Sequence, residues 1–63
     1  MCVYKGKIAV EDASGARFDI HEFMCRRFLK RATVFQLDTG EDVRRIDNDT
    51  FQLTATGETL LRV

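Results

Sequence analysis

The chain has no proline, no tryptophan, one histidine, two cysteines and no net charge: ten Lys+Arg balance ten Asp+Glu over 63 residues. Each shortage removes a class of protein. Zero net charge combined with 44% hydrophobic residues excludes an intrinsically disordered chain, which needs low hydrophobicity and high net charge. The same balance disfavours a globally basic nucleic-acid binder. Cys2 and Cys25 are too few for a disulfide framework, and no C-x-x-C pair is present to seed a zinc site. No apolar stretch approaches the ~18–20 residues that span a bilayer. Met1-Cys2-Val3-Tyr4-Lys5 lacks the basic start and apolar run of a secretory signal. These two absences predict a cytoplasmic protein without a membrane partner, whose cysteines stay as free thiols. A chain this short makes one domain at most, below the roughly 100–250 residues on which most enzymes build a rigid cleft.

What the sequence does contain is an internal repeat. Phe35-Gln36-Leu37-Asp38-Thr39-Gly40-Glu41 returns as Phe51-Gln52-Leu53-Thr54-Ala55-Thr56-Gly57-Glu58, with one extra residue before the second Thr-Gly-Glu. FQL alternates apolar, polar, apolar, as a half-buried strand does. Thr-Gly supplies a turn in which glycine can take a positive φ. The apolar segments that follow, ending at Ile46 and Val63, are the returning strands. Asp47-Asn48-Asp49-Thr50 suits a tight reversal between the two hairpins. The spacing therefore predicts a four-stranded antiparallel meander over 33–63.

A further hairpin is expected over 3–23, with Glu11-Asp12-Ala13-Ser14-Gly15 as its turn. Residues 19–32 read two ways. Asp19 and Glu22 stand at capping-box spacing, Phe18 and Phe23 at staple positions, and Arg26, Arg27, Lys30 and Arg31 at the end a helix dipole favours. Against this, Arg27 and Arg31 interrupt the Ile20, Phe23, Met24, Phe28 stripe, and two strands reversing near Cys25 are the alternative, although no Gly, Asn or Asp marks that reversal. The expected fold is thus mainly β, a small meander curling into an open barrel of SH3-like size, with one short helix at about 20–31 as the α+β variant.

The expected core is Val3, Ile8, Phe18, Ile20, Phe23, Phe28, Leu29, Phe35, Leu37, Phe51, Leu53 and Leu61. So small a core, with no metal or disulfide framework, predicts stabilisation by a partner or a second copy, for which a meander offers open edges.

Three motifs suggest chemistry and none completes it. Leu37-Asp38-Thr39-Gly40 resembles the active-site loop of aspartic proteases, in which two such aspartates share a proton. Those families follow it with Ser or Ala, whereas Glu41 follows here, and the second repeat has Ala55 ahead of its Thr-Gly, so turn formation explains the motif. His21-Glu22 opens like a zinc-protease motif, but Cys25 replaces the second histidine. Asp47, Asp49 and Glu58 fall at the first, third and last positions of a calcium-loop template, yet Gln52 stands where the sharp turn needs glycine. No catalytic residue, metal ligand or cofactor is assigned.

Charge is segregated along the chain. Residues 1–37 carry seven Lys+Arg against four Asp+Glu, and 38–63 carry three against six. Arg26, Arg27, Lys30 and Arg31 lie among Phe23, Phe28 and Phe35, with Asp42, Asp47 and Asp49 on an acidic rim. The expected function is a non-enzymatic protein-interaction module, a regulator or inhibitor docking on a larger assembly or on another copy of itself, with these seven charged residues as contacts. The alternative is a small single-stranded nucleic-acid-binding domain (RNA or DNA) that uses the basic patch 26–31.

Overall fold

The computed structural model describes all 63 residues and contains six strands and no helix: β1 (Cys2–Glu11), β2 (Arg17–Arg27), β3 (Lys30–Leu37), β4 (Asp42–Arg45), β5 (Thr50–Leu53) and β6 (Thr59–Arg62). Each pairs antiparallel with the next, and β6 returns to β1 through Val10↔Arg62 and Glu11↔Leu61. The structure is thus the small antiparallel β meander curled into a barrel that was expected, with the β1–β6 pairing closing it. No helix is long and apolar enough to cross a membrane.

The repeat builds equivalent hairpins. In the first, Gly40 N–H donates to the Leu37 carbonyl and Leu37 N–H to the Glu41 carbonyl, at 2.9 and 3.0 Å. In the second, Gly57 and Leu53 donate to Leu53 and Glu58, both at 2.8 Å, around a loop one residue longer. Gly40 and Gly57 have φ of 88° and 76°, a conformation that a side chain disfavours.

The short helix held open at about 20–31 as the α+β variant is absent, and the strand alternative is the one present. Residues 17–27 run as one strand, held in register on one side from Cys2↔Cys25 to Glu11↔Arg17 and on the other from Ile20↔Leu37 to Arg27↔Lys30. Pairing on both edges outweighs the helix propensity of Glu, Met, Arg and Leu, which is worth only tenths of a kcal/mol per residue. The reversal falls at Phe28-Leu29, three residues beyond Cys25. Phe28 takes a φ of 58° and Leu29 does not share the positive sign, the sign pattern of a type II′ turn, which favours glycine at its first central position.

Seven residues are buried: Val10, Ile20, Leu37, Val43, Phe51, Leu53 and Leu60, with Ile8 and Phe35 packed against them. Here too the expected core is corrected. Phe28 and Leu29 are 91% and 95% exposed, and Val3, Phe18 and Leu61 also lie on the surface. Leu61 and Leu60 are neighbours on β6, so one faces in and the other out.

Two turns are fastened by their own aspartates. Asp12 Oδ1 accepts from the Ser14 hydroxyl at 2.7 Å and from the Ser14 and Ala16 amides, both at 2.9 Å. Asp47 Oδ1 accepts from the Asp49 amide at 2.9 Å. The Ser14 hydroxyl, then the amides, hold the Asp12 carboxyl below its ordinary 3.8. The Asp49 amide, the Thr50 side chain and the nearby Arg45 charge do the same for Asp47. Both folded pKa values are depressed, so this contribution is fully present above the unfolded value and is lost as pH falls through the folded one. The melting midpoint is accordingly expected to be flat above the carboxylate range and to drop beneath it. Asp12→Asn should flatten the acid limb, measured by thermal unfolding across the acid range; an unchanged limb in both Asp12→Asn and Asp47→Asn would refute the assignment.

Candidate functional site

The barrel occupies one end of a molecule measuring 40 × 22 × 19 Å. The β2–β3 hairpin extends past it. β3 meets β4 only at Phe35↔Val43 and Gln36↔Asp42, so Lys30–Val34 have no partner on their outer edge. β1 meets β6 only at Val10 and Glu11, so its first half covers the projecting hairpin on one side and leaves a second open edge. Together these segments form a three-stranded wing.

The wing brings four of the seven expected contact residues together. Arg26 faces Arg31, and Arg27 faces Lys30, directly across the ladder. Side-chain alternation places Arg26 and Arg31 on the face continuous with the barrel interior (Ile20, Leu37) and Arg27 and Lys30 on the opposite face. No acidic residue occurs between Glu22 and Asp38, and none of the four cations makes an ion pair. Like charges facing across a ladder are destabilising. At the apex beyond them stand Phe28 and Leu29, almost wholly exposed. A bulky aromatic in the left-handed region is an outlier. The apex thus combines facing like charges, backbone strain and exposed apolar area, violations that natural proteins concentrate at functional sites.

The three acidic candidates are dispersed. Asp42 opens β4 at the barrel end far from the apex, where its carboxylate accepts from Gln36 Nε2 at 3.2 Å. Asp47 and Asp49 lie in the β4–β5 turn at the wing-facing end.

Two features were not foreseen. The first is a bond between Cys2 and Cys25, which face each other across β1 and β2 with Cα atoms 4.0 Å apart. It corrects the expectation of two free thiols. Residues 23 apart in sequence are brought together by a register that the sequence pattern does not reveal. The second is a side-chain chain on the outer face. Tyr4 Oη hydrogen-bonds His21 Nδ1 at 3.0 Å, and His21 Nε2 contacts Asp38 Oδ1. Phe23 packs edge-on to Tyr4 with ring centroids 5.5 Å apart.

Hydroxyl, imidazole and carboxylate follow the order of a nucleophile, its base and the group that orients the base. Tyr4 and His21 line none of the four surface clefts, whereas Asp38 lines two shallow ones beside Phe18. The arrangement ties β1 and β2 to the β3–β4 turn. His21 and Cys25, the two ligand types of the broken zinc motif, are both engaged elsewhere.

A cleft of about 550 Å³ opens where the wing meets the barrel, lined by Lys5, Lys7, Arg45 and Arg62 around Glu22, with Phe35 and Phe51 beneath. No family model, curated protein or solved structure matches this chain.

Proposed function

We propose that this chain is a non-enzymatic protein-interaction module, a regulator or inhibitor that docks on a larger assembly through the apex of the β2–β3 hairpin. The observation that carries the reading is Phe28, held at a φ of 58° with 91% of its surface exposed. The two-residue turn uses that conformation, but no part of the chain covers the ring. A partner with an apolar pocket would take Phe28 and Leu29 as anchors, and carboxylates around that pocket would meet Arg26, Arg27, Lys30 and Arg31. Interface energy is commonly concentrated in such aromatic and arginine anchors. The open edges of β1 and β3 offer additional backbone pairing, by which a partner strand or a second copy would extend the wing. The nucleic-acid alternative uses the same four cations. It ranks second because a bound single strand stacks successive bases on several aromatic faces, and Phe28 is the one ring at the apex.

Stability and binding should part company at one residue. Phe28→Gly relieves the left-handed strain and should raise stability by about 1 kcal/mol, which lifts the melting midpoint by roughly 4–8 °C in a domain of this size. The same variant should lose its partner. The experiment compares hydrodynamic mass and affinity capture from the native host for wild type and Phe28→Gly. A stoichiometric complex that the stabilised variant fails to form supports the reading. A wild-type chain that stays strictly monomeric, or a complex that survives Phe28→Gly intact, overturns it.

A further inference from the structure

The cleft between wing and barrel has a chemistry separate from the apex. Its cations come from three strands: Lys5 and Lys7 from β1, Arg45 from β4 and Arg62 from β6. Glu22 is the only acid on its wall. Lys7 leans outward to Asp19 at 3.8 Å, while Lys5 and Arg62 have no side-chain hydrogen bond or ion pair. Arg45 is already oriented. Its Nε donates to the Asp47 carbonyl at 3.2 Å, and a second guanidinium nitrogen donates to Asn48 Oδ1.

The backbone supplies a second observation. The β1–β2 register shifts between Tyr4 and Gly6, so Lys5 stands opposite no residue of β2. Gly6 takes a φ of 141° with no heavy atom within 4 Å of where a Cβ would sit. The demand for glycine therefore comes from the bulge conformation and not from crowding. Bulges of this kind re-aim a side chain and occur beside binding sites; this one puts Lys5 on the cleft wall. Beneath lie Ile8, Phe35 and Phe51, the two rings edge-on at 5.5 Å. Thr33 and Asn48 complete the lining with polar groups able to donate and accept hydrogen bonds.

We infer that this cleft binds a nucleoside phosphate, with Lys5, Arg45 and Arg62 on the phosphate and the flat base over Ile8 and the exposed part of Phe35, where Thr33 and Asn48 read its edge. Ligand pockets run about 300–1,000 Å³, so the space admits one nucleotide. An inorganic anion would use the cations and leave the apolar floor idle. The nucleoside phosphate can arrive as a free nucleotide or as the end of a single strand, and the test separates these sources.

Amide chemical shifts would be followed at low ionic strength during titration with adenosine monophosphate, oligothymidylate and inorganic sulfate. Adenosine monophosphate is expected to move Lys5, Gly6, Thr33 and Asn48, and added salt should weaken it. Lys5→Glu and Arg62→Glu, both solvent-facing changes, should each weaken binding by about tenfold, while Phe28→Gly leaves it unchanged. Movement of the same residues by both nucleotide and oligomer identifies the shared group. Movement by the oligomer alone identifies a strand as the source. Three results overturn the inference: no shift at millimolar nucleotide or oligomer, sulfate as effective as nucleotide, or shifts centred on Arg26–Arg31.

Discussion

Phe51→Ala is expected to abolish the folded state at physiological temperature. Phe51 is 1% exposed, sits at the middle of β5 opposite Arg45 and Leu60, and meets Phe35 edge-on. Truncating a buried phenylalanine costs about 3–5 kcal/mol, because the lost transfer energy is joined by that of the cavity left behind. At ~0.05–0.15 kcal/mol per residue, a chain of this length has a total stability of roughly 3–9 kcal/mol. The loss is therefore comparable to the whole. A core of seven residues has few neighbours able to relax into the void. The check is amide-shift dispersion and a chemical-denaturation curve, with Phe51→Leu as the control that removes less volume and should stay folded. A cooperative transition for Phe51→Ala near the wild-type midpoint would show that the barrel does not depend on this ring.

How far the fold can be read from residues differs between its halves. The turns of the second half are local: Leu37, Gly40 and Glu41, like Leu53, Gly57 and Glu58, lie within a few residues of one another and repeat. A short apolar alternation and one glycine suffice to write them. The first half is not local. Along 17–27 both side-chain parities carry apolar residues, because both faces of this strand are partly covered. Phe23 packs with Tyr4 on one, and Ile20 enters the barrel on the other. That two-sided burial imitates a helical stripe. Phe28 then hides the turn, since no residue with a preference for positive φ marks it. The seven core positions were only partly legible for a related reason: whether Leu60 or Leu61 faces inward depends on register with β5. The four basic residues of the wing were adjacent in sequence and easily seen. Those of the cleft come from positions 5, 7, 45 and 62 and converge only when β6 closes on β1. Had the notched alternation at Tyr4-Lys5-Gly6 been read as a bulge, it would have been the one local sign of that site.

Opening the Cys2–Cys25 bond is expected to be the second most damaging change. The bond closes a loop between residues 23 apart, and in the chain-entropy account a loop of that size restrains the unfolded chain by about 3 kcal/mol. In a domain of this size that lowers the melting midpoint by roughly 10–20 °C. The damage also has a location. Cys2–Tyr4 pair only with Phe23–Cys25, and beyond the bond β1 keeps just the Met1–Arg26 contact, in which Arg26 N–H donates to the Met1 carbonyl at 2.8 Å. Cys2→Ser with Cys25→Ser should therefore lose amide-exchange protection first in the wing, while Val10, Ile20 and Leu60 stay protected until global unfolding. Phe51→Ala, by contrast, should lose protection everywhere at once. A midpoint unmoved by reductant, or protection lost uniformly, would contradict this account. The same two sulfurs also report on the compartment. A bonded pair persists in an oxidising environment and opens in a reducing cytosol. Alkylation of the chain taken directly from its host, before any reductant, therefore tests the cytoplasmic expectation and the rigidity of the docking wing together. Two alkylated cysteines would place it among reduced proteins and leave the wing held by β1–β2 pairing alone. None would place it outside them, with Phe28 presented on a covalently braced strand.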